Sequence, residues 1–267
     1  MLTGLAASAL ALALLMFALW LYSLAREDVS VVDLFWGPGS AVVAWVCLAM
    51  AEAPTARAWL GAALVTLWAL RLALYLGWRN HGKPEDYRYA AMRRRAGPSF
   101  RWRSLYVVFG LQGALILLVS LPLNALASRP GPELGPLDAV AALIFAVGLF
   151  FEAVGDLQLA RFKADPASKG KVMDRGLWRY TRHPNYFGDF AVWWGLWLLA
   201  APVAPWTVIS PLVMSGLLLR VSGVALLEKT IVDRRPEYAD YIRRTSAFFP
   251  WFPKGPASSV GERRGDG

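Results

Sequence analysis

The sequence predicts an all-α, polytopic membrane bundle of about seven transmembrane helices, with the N-terminus outside and the C-terminus in the cytosol. Three observations carry this. Hydrophobic residues make up 57% of the 267-residue chain, against about 45–50% in soluble domains. Apolar runs near 4–25, 30–52, 57–78, 104–126, 137–160, 186–202 and 205–228 approach or exceed the roughly 20 residues that cross a bilayer. Finally, 23 of the 28 Lys and Arg fall in three stretches, eight in 79–103, seven in 161–182 and eight in 229–264. In a seven-span chain all three lie on one side, which the positive-inside rule makes cytosolic.

The first run lacks a basic start and exceeds a signal-peptide core, so it reads as a retained span. The net charge of +9 follows from the same basic loops and needs no nucleic acid. Within 79–103 the run Met92–Arg95 reads as headgroup contact. Residues 230–245 alternate charge with Tyr238 and Tyr241, the pattern of an amphipathic helix on the cytosolic surface. Pro256–Gly267 is polar and predicted to be disordered, which leaves 1–255 as one membrane domain with no internal repeat.

The lone Cys47 excludes a disulfide framework and a Cys-based zinc site, and His81 and His183 stand 102 residues apart. No metal centre is therefore expected. Charges inside spans are costly and need a partner or a task. Glu152 and Asp156 are spaced to share one helical face, as are Asn185 and Asp189. Asp33, Arg71 and Arg220 also fall within or near spans, where structural ion pairing is the plainer account. The pair Glu228 and Lys229 closes the seventh run as an interfacial anchor or a functional pair.

The most informative stretch, from Phe150 to Asp189, reads FFEAVGDLQLARFKADPASKGKVMDRGLWRYTRHPNYFGD. Pro184 suits the first turn of a helix whose free N–H groups would face an anion. Arg161, Lys163, Lys169, Lys171, Arg175, Arg179 and Arg182 offer a cage for phosphates, and Trp178, Tyr180 and Tyr186 offer stacking surfaces. This set suits an anionic cofactor with a flat ring. Neither a G-x-G-x-x-G nor a P-loop pattern is present, so helices must hold any nucleotide.

Arg182-His183-Pro184-Asn185-Tyr186-Phe187-Gly188-Asp189 resembles the R-H-x-N-Y-x-G-[DE] signature of the membrane steroid 5α-reductases and sterol C14 and C7 reductases. Asp156, Gln158, Phe162, Lys163 and Pro166 resemble their acidic Q-x-x-x-F-[RK]-x-x-P stretch. Tyr238, Tyr241, Ala247, Phe249 and Pro250 resemble their Tyr-rich ending. The resemblance covers about 150–252 and is greatest to the bacterial branch known as DUF1295. It implies a helical bundle in the bacterial cytoplasmic membrane that binds NADPH from the cytosol and reduces an activated carbon–carbon double bond of a steroid-like, isoprenoid or other lipid substrate. The positions matching Asn185 and Asp189 are those that meet the nicotinamide–ribose half, and cations around Lys163 meet phosphates. The expected cofactor set is Glu152, Asp156, Gln158, Lys163, Arg175, Tyr180, Arg182, His183, Asn185, Tyr186 and Asp189, roofed by Tyr238, Tyr241 and Arg244.

Two departures stand out. Leu159 replaces the Lys that follows the Gln in sterol reductases, and Phe35-Trp36-Gly37-Pro38 lacks the catalytic Glu of the 5α-reductases. Asp33, protonated in the membrane and partnered by the Tyr75 hydroxyl, is the expected replacement for that acid. Isoprenylcysteine carboxyl methyltransferases, which use S-adenosylmethionine, share the R-H-P-x-Y-x-G element. They carry a Glu-Glu pair where this chain has Glu228 and Lys229, and lack the stretch from Asp156 to Pro166. A non-catalytic lipid- or ion-handling protein is the third alternative.

Overall fold

The structure, a computed structural model, describes residues 1–221 and 237–254, and all regular elements among them are helical. Among the described residues five helices are long and apolar enough to cross a membrane: Leu2–Arg26, Val29–Ala49, Ala56–Asn80, Tyr87–Val119 and Pro136–Ala164. The protein is thus a multi-pass membrane protein whose spans associate with lipid. The sixth expected run forms α9 (Pro184–Ala200), 17 residues long, which rises only about 25 Å. The seventh, 205–228, shows a 3₁₀ turn at Pro205–Val208, α10 (Ile209–Gly216) and a π turn, Leu217–Val221, and its residues from 222 on lie outside the described residues.

The chain divides into two compact units, Met1–Leu149 with Phe190–Gly216, and Phe150–Asp189 with the described residues from Leu217 on. In the first unit α1 (Leu2–Arg26) and α3 (Ala56–Asn80) both pack on α2 (Trp36–Ala49). Leu12 and Met16 of α1, Val43 of α2, and Phe109 and Ile116 from the fourth span share one core. Trp68 of α3 meets Trp193 of α9 edge-on at 5.4 Å. The outer faces are equally apolar: Leu10, Leu14, Leu74 and Leu143 are 62–72% exposed. Such surface is stable only against lipid tails, and there helices associate by close packing and interhelical hydrogen bonds rather than by leaving water. One such bond set joins α1, α2 and α7 (Leu121–Ser128), where Ser8 Oγ lies 3.2 Å from Cys47 Sγ and Asn124 Nδ2 donates to the same sulfur at 3.1 Å.

The fourth span departs most from expectation. The stretch 79–103 is not a long loop: α3 continues to Asn80, and α4 (Tyr87–Ala96) begins behind the Asp86 cap, whose carboxylate accepts from Arg88 N at 2.9 Å. The chain then passes through α5 (Phe100–Ser104), a π turn at Leu105–Gly110 and α6 (Leu111–Val119). Pro122 explains the break at Ser120, because its ring cannot continue the preceding helix but fits the first turn of the next. The fifth span, α8 (Pro136–Ala164), is pinned at its start by a buried ion pair. Arg57 grips both Asp138 oxygens, at 2.6 and 2.8 Å, and also donates to the carbonyls of Pro132 and Glu133.

Candidate functional site

The second unit assembles two sequence-distant stretches: the end of α8 with the connector running into α9, and α11 (Glu237–Arg244) with the close at 245–254. Glu152 and Asp156, one turn apart on α8, are both buried. Between them Gly155 lets the next helix approach: a Cβ there would stand 3.1 Å from Pro184 and 3.2 Å from the Asn185 nitrogen. That contact sets the first turn of α9 against the acidic face. Asn185 Nδ2 donates to Asp156 Oδ1 at 3.1 Å, its Oδ1 accepts from Tyr186 N, and the His183 ring stacks on Tyr186 at 5.5 Å and 4°. Asp189, one turn on, is half-buried.

The connector is pinned to α8. Leu177 N donates to Gln158 Oε1 at 3.0 Å and the Trp178 indole donates to the Gly155 carbonyl at 3.0 Å. Gly176 is favoured by its φ of +59°, and a Cβ there would also lie 2.4 Å from Gln158 Nε2 and push that amide from its bond to Leu177. Tyr180 through Arg182 are then stitched to the C-terminal close. Trp251 N donates to Tyr180 O, Thr181 Oγ1 to Phe248 O and Arg182 N to Ser246 O, at 2.8–2.9 Å. The buried Arg182 guanidinium donates to the carbonyls of Ile242 and Thr245, at 3.1 and 2.5 Å. A cation at the last carbonyls of a helix satisfies acceptors that have no partner within it. Arg182, expected in the phosphate cage, is thus also the cap of α11.

The expected roof takes part in the same assembly. Tyr238 and Tyr241 are buried edge-to-face at 5.4 Å, and the Tyr241 hydroxyl donates to the Trp178 carbonyl. Arg244 reaches Asp240 at 2.8 Å and Asp174 at 3.2 Å, and its bond to Asp174 raises its pKa further above the ordinary arginine value. The fold therefore gathers Glu152, Asp156, Gln158, Arg182, His183, Asn185, Tyr186, Asp189, Tyr238, Tyr241 and Arg244 within one unit, while Lys163, Arg175 and Tyr180 stand exposed at its surface with Arg161, Lys169, Lys171 and Arg179.

Asp33 and Tyr75 belong to the first unit. Asp33 sits in a polar network that the sequence did not reveal: Tyr89 donates its hydroxyl to Oδ1 at 2.6 Å, Gln112 donates to the same oxygen at 3.1 Å, and Arg88 approaches Oδ2 at 3.1 Å. The Asp33 carboxyl group therefore faces a phenol, an amide and a guanidinium. The hydroxyl set on Asp33 is that of Tyr89. The Tyr75 ring lies beside Trp78 and under the Arg79 guanidinium. The headgroup reading of Met92–Arg95 is corrected for Arg93, which grips both Glu85 oxygens at 2.7 and 3.0 Å and lies over the Phe100 ring. Arg220 is exposed on its π turn, and Glu228 and Lys229 lie outside the described residues, as does the tail 256–267.

Comparison with known proteins matches residues 19–245 to the family described as a protein of unknown function, DUF1295. The chain belongs to this family. The DUF1295 match takes in both the Asp33 network and the second unit as far as Thr245. An uncharacterized protein of Schizosaccharomyces pombe is 27% identical over 216 residues, 70% of this chain and 61% of that protein. A probable O-methyltransferase of Ustilaginoidea virens is 38% identical over 80 residues, 29% of this chain and 28% of its own length. The chain thus spans about three fifths of one relative and just over a quarter of the other. No solved structure matches it significantly.

Proposed function

We propose that this DUF1295 protein is a seven-span enzyme of the cytoplasmic membrane, N-terminus outside, that binds NADPH on its cytosolic side and reduces an activated C=C bond of a lipid-like substrate. The observation that carries the reading is the joining of the Asp156–Asn185 pair to a connector whose cations stand exposed. The donor set fits the cofactor. Arg161, Lys163, Lys169, Lys171, Arg175 and Arg179 suit a pyrophosphate and a 2′-phosphate, Asn185 and Asp189 suit a carboxamide and ribose hydroxyls, and the His183–Tyr186 stack offers a flat face. When bound, NADPH supplies the hydride, and the protein supplies position and field. In the first unit Tyr89 holds a proton at its hydroxyl against Asp33, a more suitable proton-holding pair than Asp33 with Tyr75.

A second reading is S-adenosylmethionine-dependent methyl transfer, favoured by the name of the Ustilaginoidea virens relative. The charges discriminate between the two. S-adenosylmethionine carries a sulfonium and an ammonium, which the buried Glu152 and Asp156 suit, but only one carboxylate, and so has no use for so many cations.

Thermal unfolding of the detergent-purified protein with NADPH, NADH or S-adenosylmethionine tests both, because a ligand bound only by the folded state raises its midpoint. NADPH is expected to raise it, and a rise with S-adenosylmethionine alone would exchange the first reading for the second. Asn185→Ala and Asp189→Ala are expected to abolish the NADPH shift while Arg94→Ala keeps it. Equal loss in all three would reduce the site to general stability.

A further inference from the structure

The first unit holds a cavity of about 350 Å³, at the small end of the range for ligand sites, about 300–1,000 Å³. Three elements wall it, and they bring different charges. The end of α3 and the turn after it contribute Arg79 and Lys83, the α1–α2 connection contributes Asp28 and Asp33, and the start of α4 contributes Glu85 and Asp86. The α4 carboxylates are already engaged: Glu85 accepts from Arg93 and from Val29 N, and Asp86 from Arg88. The two cations are not matched in this way. Arg79 donates to the Asn80 amide oxygen and lies over the Tyr75 ring, and among the described residues Lys83 meets no carboxylate.

On the opposite wall Asp28 uses Oδ1 to accept from Ser30 N and Oγ, and Asp33 is partly open to the cavity. Ionised carboxylates keep acceptor capacity beyond one or two bonds. Among the described residues no three acids or histidines converge closely enough for a metal ion, so the cavity suits an organic group carrying both signs of charge.

We propose that this cavity binds a phosphate-linked primary amine, the phosphate against Arg79 and Lys83 and the ammonium against Asp28 and Asp33. With the basic end of α3 at the cytosolic face, the source that fits is the phosphoethanolamine headgroup of a bilayer lipid. A primary ammonium presents N–H donors to carboxylates. A choline headgroup presents none, and a glycerol headgroup lacks the positive charge. This site shares Asp33, which also accepts from Tyr89, Gln112 and Arg88, with the proposed proton-holding pair, and it is independent of the cofactor reading in the second unit.

Native mass spectrometry of the full-length, delipidated protein with dioleoyl phosphatidylethanolamine, phosphatidylcholine or phosphatidylglycerol at equal concentration tests it. The ethanolamine lipid is expected to be retained at least about tenfold better than either of the others, the share of one charge-assisted hydrogen bond. Arg79→Gln combined with Lys83→Gln, and separately Asp28→Asn, are expected to remove that preference. The Asn retains a side-chain acceptor for Ser30, so the second variant removes charge without removing the turn. Arg94→Gln, outside the cavity, is expected to leave it unchanged. Soluble glycerophosphoethanolamine separates the sources: failure to displace the lipid at equal concentration assigns the site to the bilayer, and displacement assigns it to a free ester of the same chemistry. Equal retention of the three lipids, or a preference that survives both the Gln pair and Asp28→Asn, overturns the proposal.

Discussion

Two basic stretches that look alike in sequence, 79–103 and 161–182, are used differently. In the first, Arg88 joins Asp33 as well as Asp86, and Arg93 joins Glu85 and donates to the Glu27 carbonyl at 3.0 Å, so cations hold α4 onto the connection between α1 and α2. In the second, Arg161, Lys163, Lys169, Lys171, Arg175 and Arg179 stay exposed, while Arg182 is buried on backbone carbonyls. The same residue type is therefore cement in one place and solvent-facing in the other. The acids differ in what they hold: Glu85 and Asp86 take Arg93 and Arg88 from their own stretch, whereas Asp165 caps its own turn and Asp174 takes Arg244 of α11.

The comparison can be broken most sharply at Arg182. Arg182→Ala is expected to cost about 3 kcal/mol, the sum of two charge-assisted bonds at the lower end of their range, read as thermal or denaturant unfolding in detergent. A cost below about 0.5 kcal/mol would return Arg182 to the exposed set. Next in size is Tyr89→Phe, expected to lose about 1.5–2 kcal/mol with the hydroxyl bond to Asp33. Activity separates it from Tyr75: loss of turnover in Tyr75→Phe but not in Tyr89→Phe would favour Tyr75 as the catalytic partner of Asp33.

Acid provides a subtler test. Burial pushes Glu85 and Asp86 up, but Arg93 and the Val29 N–H for Glu85, and Arg88 for Asp86, outweigh it and hold both carboxyls below their usual range. A folded carboxyl that binds protons less readily than the unfolded one stabilises the fold above the unfolded value, about 4.3 for Glu, and that contribution is lost as the pH falls toward the folded value. Unfolding midpoints are therefore expected to drop from about pH 5 downward, and Glu85→Gln to flatten that slope. The smallest stability effect belongs to the exposed cations. Arg179→Ala and Arg94→Ala are each expected to change stability by less than about 0.5 kcal/mol. They are separated by ligand: Arg179→Ala reduces the NADPH-dependent shift, and Arg94→Ala does not.

Much of the membrane architecture was legible because a span needs a long apolar run whatever it packs against. The runs 4–25 and 57–78 became Leu2–Arg26 and Ala56–Asn80. Boundaries failed where polarity and helicity part company. Helix α8 continues past residue 160 to Ala164 through Arg161 and Lys163, because backbone hydrogen bonds continue where apolar side chains stop. Helix α4 was hidden in the same way, its mean composition polar and its only local sign the Asp86 cap.

The sequence by itself determined the solvent of this protein, the course of most spans, and which residue types stand at the Phe150–Asp189 segment, because these depend on composition and on spacing within one helix. It also placed Glu152 with Asp156 and Asn185 with Asp189, since a helix brings residues four apart onto one face. Only the tertiary structure decided who partners whom across the chain. Tyr89 reaches Asp33 from 56 residues away, Arg57 reaches Asp138 from 81, and Arg182 reaches the carbonyls of α11 from 60 or more. Such pairs leave no periodic trace, because a charge records only that a partner is needed, and the packing of helices selects the one that meets it.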